Sequence, residues 1–376
     1  MRVAAISHSC VVDVNQAIFA ELERAEDIEL LLIAPQKWRS ALEGETAFTR
    51  LASLQSPVAA LPVRRSGSLI LHSYAGLEPT LRDFGPDVIY ADEEPHSAVA
   101  FLAARCARKL SARFVFSTKQ NVFRRYPWPI SRLERLAYQC SAAAVVVNQE
   151  VANVLRAKGY RGQVSIIPHG IDPSVFRPGS RDEARPPLPT GAPLVGYVGR
   201  LAAEKGLLDL LAAARLAWAR GLEFRLVFIG EGPLAKPLSE AAARLPAGRC
   251  QVIRSVPHRR VAEYIGALEL LVLPSRTTPT WKEQFGRVIV EALACEVAVL
   301  GSDAGHIPYL IETTGGGMVF HEGDVGDLAA KLETLLIDDE LRRDLARRGR
   351  EVVLRRYTYA AIGKALGRAL RSAMGR

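Results

Sequence analysis

Pro279-Thr280-Trp281-Lys282-Glu283-Gln284-Phe285-Gly286-Arg287-Val288-Ile289-Val290-Glu291-Ala292 is the stretch on which the reading of this chain turns. Seven residues separate its two glutamates, and a Phe-Gly pair follows the first closely. The run Leu270-Leu271-Val272-Leu273 before it has the continuous apolar character of a buried strand, ended by Pro274-Ser275. The run 288–294 after it is expected to be a helix starting near Gly286. A connection of about ten residues is long for a strand-to-helix turn and points to a functional loop. A helix start exposes free backbone N–H groups and the positive end of the dipole, which together attract anions. Eight residues of helix rise roughly 12 Å, about the span from hexose to ribose in a nucleotide sugar. On that geometry Glu283 meets sugar hydroxyls, the helix start meets a diphosphate, and Glu291 meets the ribose. An ordinary helix with one buried and one solvated glutamate is the plainer alternative.

Outward from this stretch, short apolar runs alternate with helical patterns in both directions. In the first half the expected strands are 2–7, 28–34, 88–90, 114–117, 143–147 and 164–167, with helices such as 14–22, 96–110 and 151–158 between them. In the second half they are 194–198, 224–229, 250–254, 270–273, 297–300 and 318–320, and the chain is expected to be helical after about 327. Such alternation predicts α/β architecture with two doubly wound, mostly parallel sheets, and ligands at the carboxyl ends of the strands. Between the halves, Pro168-His169-Gly170-Ile171-Asp172-Pro173 leads into a polar, proline-rich stretch without periodicity. The expected boundaries are therefore 1–170 for the first domain, 171–192 for a linker and 193–356 for the second domain.

Bulk composition agrees with this organisation. The chain has 376 residues, 49% hydrophobic and 24% charged, which is globular composition and more than one core usually supports. No apolar run reaches the roughly 18–20 residues that span a bilayer. The opening Met1-Arg2-Val3-Ala4-Ala5-Ile6-Ser7-His8-Ser9 is too short in apolar length for a signal peptide and is expected to be the first strand. Five cysteines without a Cys-x-x-Cys pair suit a reducing cytoplasm. The net charge of +9 is uneven: residues 101–140 carry nine Lys/Arg against one acid, and 341–376 carry eleven against two. Basic excess in the first half fits an acidic partner, either an anionic membrane surface or a diphosphate-linked acceptor. The C-terminal excess is expected to be a solvated helix face.

Several other turns carry chemistry. Gly196-Tyr197-Val198-Gly199-Arg200-Leu201-Ala202-Ala203-Glu204-Lys205-Gly206 is a strand, a glycine turn and a helix start, bringing two cations, Arg200 and Lys205, to one loop. It lacks the spacing of a Walker A loop. Ile229-Gly230-Glu231-Gly232-Pro233 is a second glycine-rich strand end. In the first half, Asp92-Glu93-Glu94-Pro95-His96 follows a strand, with His96 expected as the first helical residue. Arg124-Arg125-Tyr126-Pro127-Trp128-Pro129 is a basic, aromatic loop suited to an acceptor or a membrane face, or simply to solvent.

With these companions, the opening stretch resembles the E-x7-E motif of retaining glycosyltransferases of family 4, which have the GT-B fold. Gly199-Arg200 with Lys205-Gly206 is similar to that family's G-R-x-x-x-x-K-G segment, and the 229–233 turn to its F-x-G-x-G-P turn. The resemblance implies two Rossmann-like domains facing across a cleft, with a last helix, about 357–376, packing back on the first. It also implies transfer of a sugar from a nucleoside-diphosphate sugar, of UDP or GDP type, to a hydroxyl on a sugar or lipid-linked acceptor. The anomeric configuration would be retained, in polysaccharide or glycoconjugate synthesis, at the cytoplasmic side and peripheral to the membrane. Nucleic acid is not an expected partner. The implied donor-binding residues are Gly199, Arg200, Lys205, Gly230, Ser255, Glu283, Gln284, Phe285, Gly286, Arg287 and Glu291. The implied catalytic groups are Glu283, Arg200, Lys205, Glu93 and Glu94.

The chain departs from the family pattern at several places. Where relatives carry His-Glu-Pro, Glu93 takes the position of the histidine before Glu94-Pro95. The loop Ser7-His8-Ser9-Cys10 has no glycine pair. Cys295-Glu296-Val297-Ala298 replaces a common x-G-x-P, and His306 stands where an acid is frequent. No cofactor and no metal is expected, because Arg200, Lys205 and a helix start can neutralise the diphosphate. The alternatives are a nucleotide-sugar epimerase or phosphorylase of similar fold, and a non-catalytic protein that binds nucleotide sugars or lipid head groups.

Overall fold

The computed structural model describes residues 1–25, 27–40, 44–179, 188–254, 256 and 260–375. It divides into two compact units, Met1–Gly170 with Tyr359–Arg376, and Ile171–Thr358. In each unit, runs that are apolar at every position form strands covered on both faces, as in Val88–Ala91 and Leu270–Leu273, buried throughout.

The sheet of the first unit has seven strands: β1 Arg2–Ile6, β2 Glu29–Pro35, β3 Val58–Leu61, β4 Val88–Ala91, β5 Arg113–Thr118, β6 Ser141–Val146 and β7 Gln163–Ile166. Their order is β7-β6-β5-β4-β1-β2-β3 and every pairing is parallel. The second unit holds six: β8 Leu194–Val198, β9 Arg225–Ile229, β10 Cys250–Ile253, β11 Leu270–Leu273, β12 Ala298–Ser302 and β13 Gly317–Phe320. Their order is β10-β9-β8-β11-β12-β13, again all parallel. Both sheets are doubly wound. The winding direction reverses beside β1 in one and beside β8 in the other, so β1 has β4 as its neighbour and β8 has β11.

The last helix, Tyr359–Ala373, belongs to the first unit and packs on the helix Ala17–Leu22. Its apolar positions Ile362, Leu366 and Leu370 recur every four residues and enter the core beside Leu22 and Ile28. Gly363 permits the approach, since a Cβ there would stand 2.6 Å from the Cβ of Glu21.

Some local expectations are corrected. Residues 14–22 do not form one helix; two 3-10 turns, His8–Val11 and Asp13–Gln16, precede the helix Ala17–Leu22. The Asn15 and Gln16 amides donate to the Ser9 and Cys10 carbonyls, which competes with helical pairing. His96 is not helical: the helix is Ala98–Lys109, and Ser97 is its N-cap, accepting from the Ala100 N–H at 3.1 Å. The edge strand β3 and two small antiparallel hairpins, Lys37–Ser40 with Gly44–Ala47 and Val63–Arg64 with Ser73–Tyr74, carry no periodic signal and were not expected. Among the described residues no helix is long and apolar enough to cross a membrane.

Truncating Leu366, wholly buried under this docked helix, tests the packing. Leu366→Ala should cost about 2–5 kcal/mol and speed hydrogen exchange of the β1 and β2 amides. Unchanged exchange would show that the helix contributes nothing to the first core.

Candidate active site

In a doubly wound sheet the loops after two neighbouring strands part where the winding reverses, leaving a crevice. In the second unit that place lies after β8 and β11. The turn after β8 carries Gly199 and Arg200, then a 3-10 turn Ala203–Lys205. Gly206, at φ +63°, ends it, and a Cβ there would overlap the Pro274 carbonyl oxygen, so only glycine lets this turn lie against the end of β11.

That approach carries Lys205 to Glu283. Lys205 Nζ lies 2.7 Å from Glu283 Oε2, and the Ser275 hydroxyl donates to the same oxygen at 3.0 Å. The Lys205 ammonium also sits 4.4 Å from the centroid of the Trp281 ring, a cation–π contact. The backbone of Glu283 is held too, its carbonyl accepting from the His306 N–H at 3.2 Å. Glu283 is 9% exposed, so its charge is sustained by these partners rather than by water. Tyr197, inside β8, donates to the Arg200 carbonyl at 2.8 Å and fixes the loop from below.

The helix of the motif is Arg287–Ala294, with Gly286 at its N-cap in the left-handed region, φ +78°. Glu283 therefore precedes the helix, and the helical rise of roughly 12 Å is not the measure of its separation from Glu291. The connection from β11 runs from residue 274 to 286, longer than expected. Glu291 is 7% exposed and pairs with Arg287 one turn earlier, at 3.0 Å.

Gly199, Arg200, Lys205, Glu283, Gly286, Arg287 and Glu291 line one cavity of about 330 Å³. Gly230, Gln284 and Phe285 are not among its lining residues. Phe285 is buried instead against His306, ring centroids 5.8 Å apart. Ser255 lies outside the described residues. Tyr197, Ser275 and Trp281 support the site and were given no role by sequence reasoning. Their one local signal was position: Tyr197 within β8, Ser275 just past β11, and Trp281 in the long loop before Gly286.

In the first unit the reversal brings together the loops after β1 and β4, paired up to Ile6 and Ala91. The three consecutive acids there face different partners. Asp92 accepts from the hydroxyls of Ser117 at 2.6 Å and Ser7 at 3.1 Å, and Lys119 stands 3.5 Å away. Burial pushes its carboxyl up, but Lys119, the two serines and His8 outweigh it and hold the pKa at about 2. Glu94 accepts from Thr118 at 2.6 Å and the Lys119 N–H at 2.8 Å, yet burial dominates and raises its pKa. Glu93 accepts from the His8 N–H at 2.7 Å, while His8 Nδ1 lies 2.7 Å from its other oxygen. Burial pushes Glu93 up as well, and the histidines His8 and His72 reverse that, leaving its carboxyl low. Both carboxylates named as catalytic candidates are thus buried or half-buried and already engaged. His8 and His72 were not singled out for a role. His72 has no sequence signal, being a lone histidine in an irregular segment.

Comparison with known proteins follows the same division. Residues 18–175 match the model of "Glycosyltransferase Family 4", and residues 180–352 match that of "Glycosyl transferases group 1". The chain belongs to glycosyltransferase family 4. Sulfoquinovosyl transferase SQD2 of Arabidopsis thaliana is 30% identical over 71% of this chain and 53% of that protein. A D-inositol 3-phosphate glycosyltransferase of Nocardiopsis dassonvillei is 32% identical over 58% of this chain and 54% of that protein. The matched part thus spans about half the length of these two relatives. HepE of Anabaena, solved with UDP and glucose, shares the fold, with a TM-score of 0.73 over 99% of this chain and 100% of that one at 19% identity. The fold of this family 4 chain is GT-B.

His96, just before the helix of the first unit, supplies a pH test. Its ring stacks on Tyr126, centroids 4.3 Å apart, and its buried Nδ1 has no partner. Burial, then Lys158 and Arg124, depress its pKa to about 4. Below its ordinary value of 6.5 the unfolded chain takes up a proton that the folded chain refuses. Stability therefore falls as pH drops from 6.5 towards 4. His96→Phe should abolish that slope in unfolding curves while keeping the stack; an unchanged slope would place the pH dependence elsewhere.

Proposed function

We propose that this chain is a retaining glycosyltransferase that moves a sugar from a nucleoside-diphosphate sugar, of UDP or GDP type, to a hydroxyl acceptor. The observation that carries the reading is the Lys205–Glu283 pair in a cavity bounded by a helix N-terminus. The bond from the anomeric carbon to the diphosphate breaks, and a bond to the acceptor oxygen forms on the same face. The acceptor proton passes to the departing phosphate oxygen. Negative charge grows on the leaving group, and Lys205, Arg200 and the N–H groups beyond Gly286 stabilise it, which lowers the barrier electrostatically. Glu283 orients the sugar hydroxyls, and Glu291 holds the ribose. The printed activities of the plant and actinobacterial relatives, and the UDP and glucose held by HepE, support the donor class.

Loss of the two glutamates should differ in kind. Glu291→Ala should weaken free nucleoside diphosphate and nucleotide sugar alike, by roughly 1.5–3 kcal/mol, and act mainly on the donor KM. Glu283→Ala releases Lys205 and should leave nucleotide affinity nearly intact while kcat falls strongly, because the sugar is no longer held near attack geometry. Calorimetry and donor kinetics measure both, and the reverse pattern would reject the assignment. Neutralisation of the diphosphate by protein cations also means that UDP or GDP affinity is the same in EDTA and in Mg²⁺. Sugar transfer without formation of a new nucleotide sugar separates this reading from an epimerase, and any turnover separates it from a binding protein.

The acceptor side is the first unit, working at the cytoplasmic face of an anionic membrane. A second cavity there, of about 810 Å³, is lined by Arg124, Arg125, Arg135, Lys158 and Arg161. Trp128, 76% exposed, and Phe123, 46% exposed, stand in the same segment. Cations beside exposed aromatics suit lipid head groups. Co-sedimentation with anionic vesicles should exceed that with neutral ones and decline with salt; equal, salt-independent sedimentation would remove the membrane from the reading.

A further inference from the structure

Three ligand-bearing side chains that the donor cavity does not use converge in the first unit. His8 follows β1, Glu93 follows β4, and His72 immediately precedes the small strand Ser73–Tyr74. Their candidate ligand atoms all lie within 4.8 Å of one another. His8 Nδ1 is 2.7 Å from Glu93 Oε2, and His72 Nε2 is 3.5 Å from Glu93 Oε1.

The tautomer of His72 makes this group unusual. Its Nδ1 lies 2.8 Å from the Ser68 carbonyl oxygen. A carbonyl only accepts, so Nδ1 donates to it, and Nε2 is turned toward a carboxylate oxygen 3.5 Å away. Nε2 is wholly buried and has no hydrogen-bond partner. The Tyr74 hydroxyl is buried and unpartnered as well, its ring 6.0 Å from that of His72. A buried imidazole nitrogen without a partner, facing a buried carboxylate, forms a ready cradle for a cation between them.

We propose that His8 Nδ1, His72 Nε2 and the Glu93 carboxylate bind a divalent transition-metal ion of the Zn²⁺ class, leaving one coordination position open to water. Two imidazoles and one carboxylate are a borderline donor set that suits Zn²⁺ and its first-row neighbours rather than Mg²⁺, which prefers an octahedron of oxygens. Metal–ligand bonds of about 2.0–2.2 Å place tetrahedral ligand atoms about 3.3 Å apart. The separations here, from 2.7 Å to at most 4.8 Å, bracket that value, so small ring rotations close the site. The bonds that orient such ligands are in place: His72 Nδ1 to Ser68, and the His8 N–H to Glu93. His8, with 23% of its side chain exposed, gives the ion a way in. Trp38 covers the cluster, its ring 4.8 Å from that of His8 and 4.9 Å from that of His72, and reports on it optically.

The proposal does not rest on the proposed sugar transfer. The test uses the full chain without an affinity tag, stripped with a chelator and titrated with Zn²⁺ by calorimetry and with Co²⁺ by visible absorption. One equivalent of Zn²⁺ should bind, raise the melting temperature and quench or shift Trp38 emission. Co²⁺ should show the strong visible bands of a tetrahedral site. His72→Gln and Glu93→Gln should each weaken Zn²⁺ by at least the roughly 10–100-fold that loss of an outer partner costs. His8→Gln, at the exposed edge, provides a variant less prone to misfold, and circular dichroism with a cooperative melt serves as the fold control in all three. Absence of stoichiometric Zn²⁺ binding by the unmodified chain would overturn the proposal, leaving a proton in place of the ion. So would affinity unchanged in His8→Gln and His72→Gln.

Discussion

Parallel strands cannot be joined by a tight turn, so each connection must cross a face of the sheet, and where successive crossings switch faces the loops after two neighbours separate. This constraint acts once in each unit of the chain, beside β1 and beside β8. Everything with chemical potential collects there: Arg200, Lys205 and Glu283 in one unit, and His8, Asp92 and Glu93 in the other. Backbone N–H groups at helix starts and side chains from distant positions converge on the same spot because the topology leaves it uncovered. The helices over each sheet bury the rest.

Charge burial decides what these crevices can hold. A carboxylate withdrawn from water must be repaid by partners or take up a proton. Asp92 and Glu94 lie two residues apart and come out on opposite sides of this balance. For Asp92 an ammonium and two hydroxyls outweigh desolvation; for Glu94 a hydroxyl and an amide do not. Glu283 has Lys205 and Ser275 on one oxygen. A ligand that takes over Lys205 would alter the partner set of Glu283.

Much of the fold was legible from local pattern. Apolar runs at β1, β4, β8 and β11 are continuous because both faces are covered, and that is visible one residue at a time. The spacing of Glu283, Gly286 and Glu291, and the glycines at 199 and 206, marked the loops around the cavity of the second unit for the same reason, since backbone geometry that excludes a Cβ leaves glycine in the sequence. Local pattern misplaced the start of the helix after His96 and the helix at 14–22, where the side chains of Ser97, Asn15 and Gln16 compete for backbone groups. It passed over the edge strand β3, only four residues long and lacking a periodic face.

By itself the sequence determined which segments become strands, where the glycine turns fall, and that a cation-bearing loop and a paired-glutamate loop both exist. Tertiary structure alone decided that Lys205 meets Glu283 across 78 positions, that His72 faces Glu93, and that three adjacent acids turn to three sets of partners. Local preference arises from sterics and hydrogen bonding within a few residues and leaves a readable periodicity. A contact between distant side chains arises from sheet order and loop packing, which no short window of sequence contains. The electrostatic character of each carboxylate, and with it the chemistry open to it, belongs to that second level.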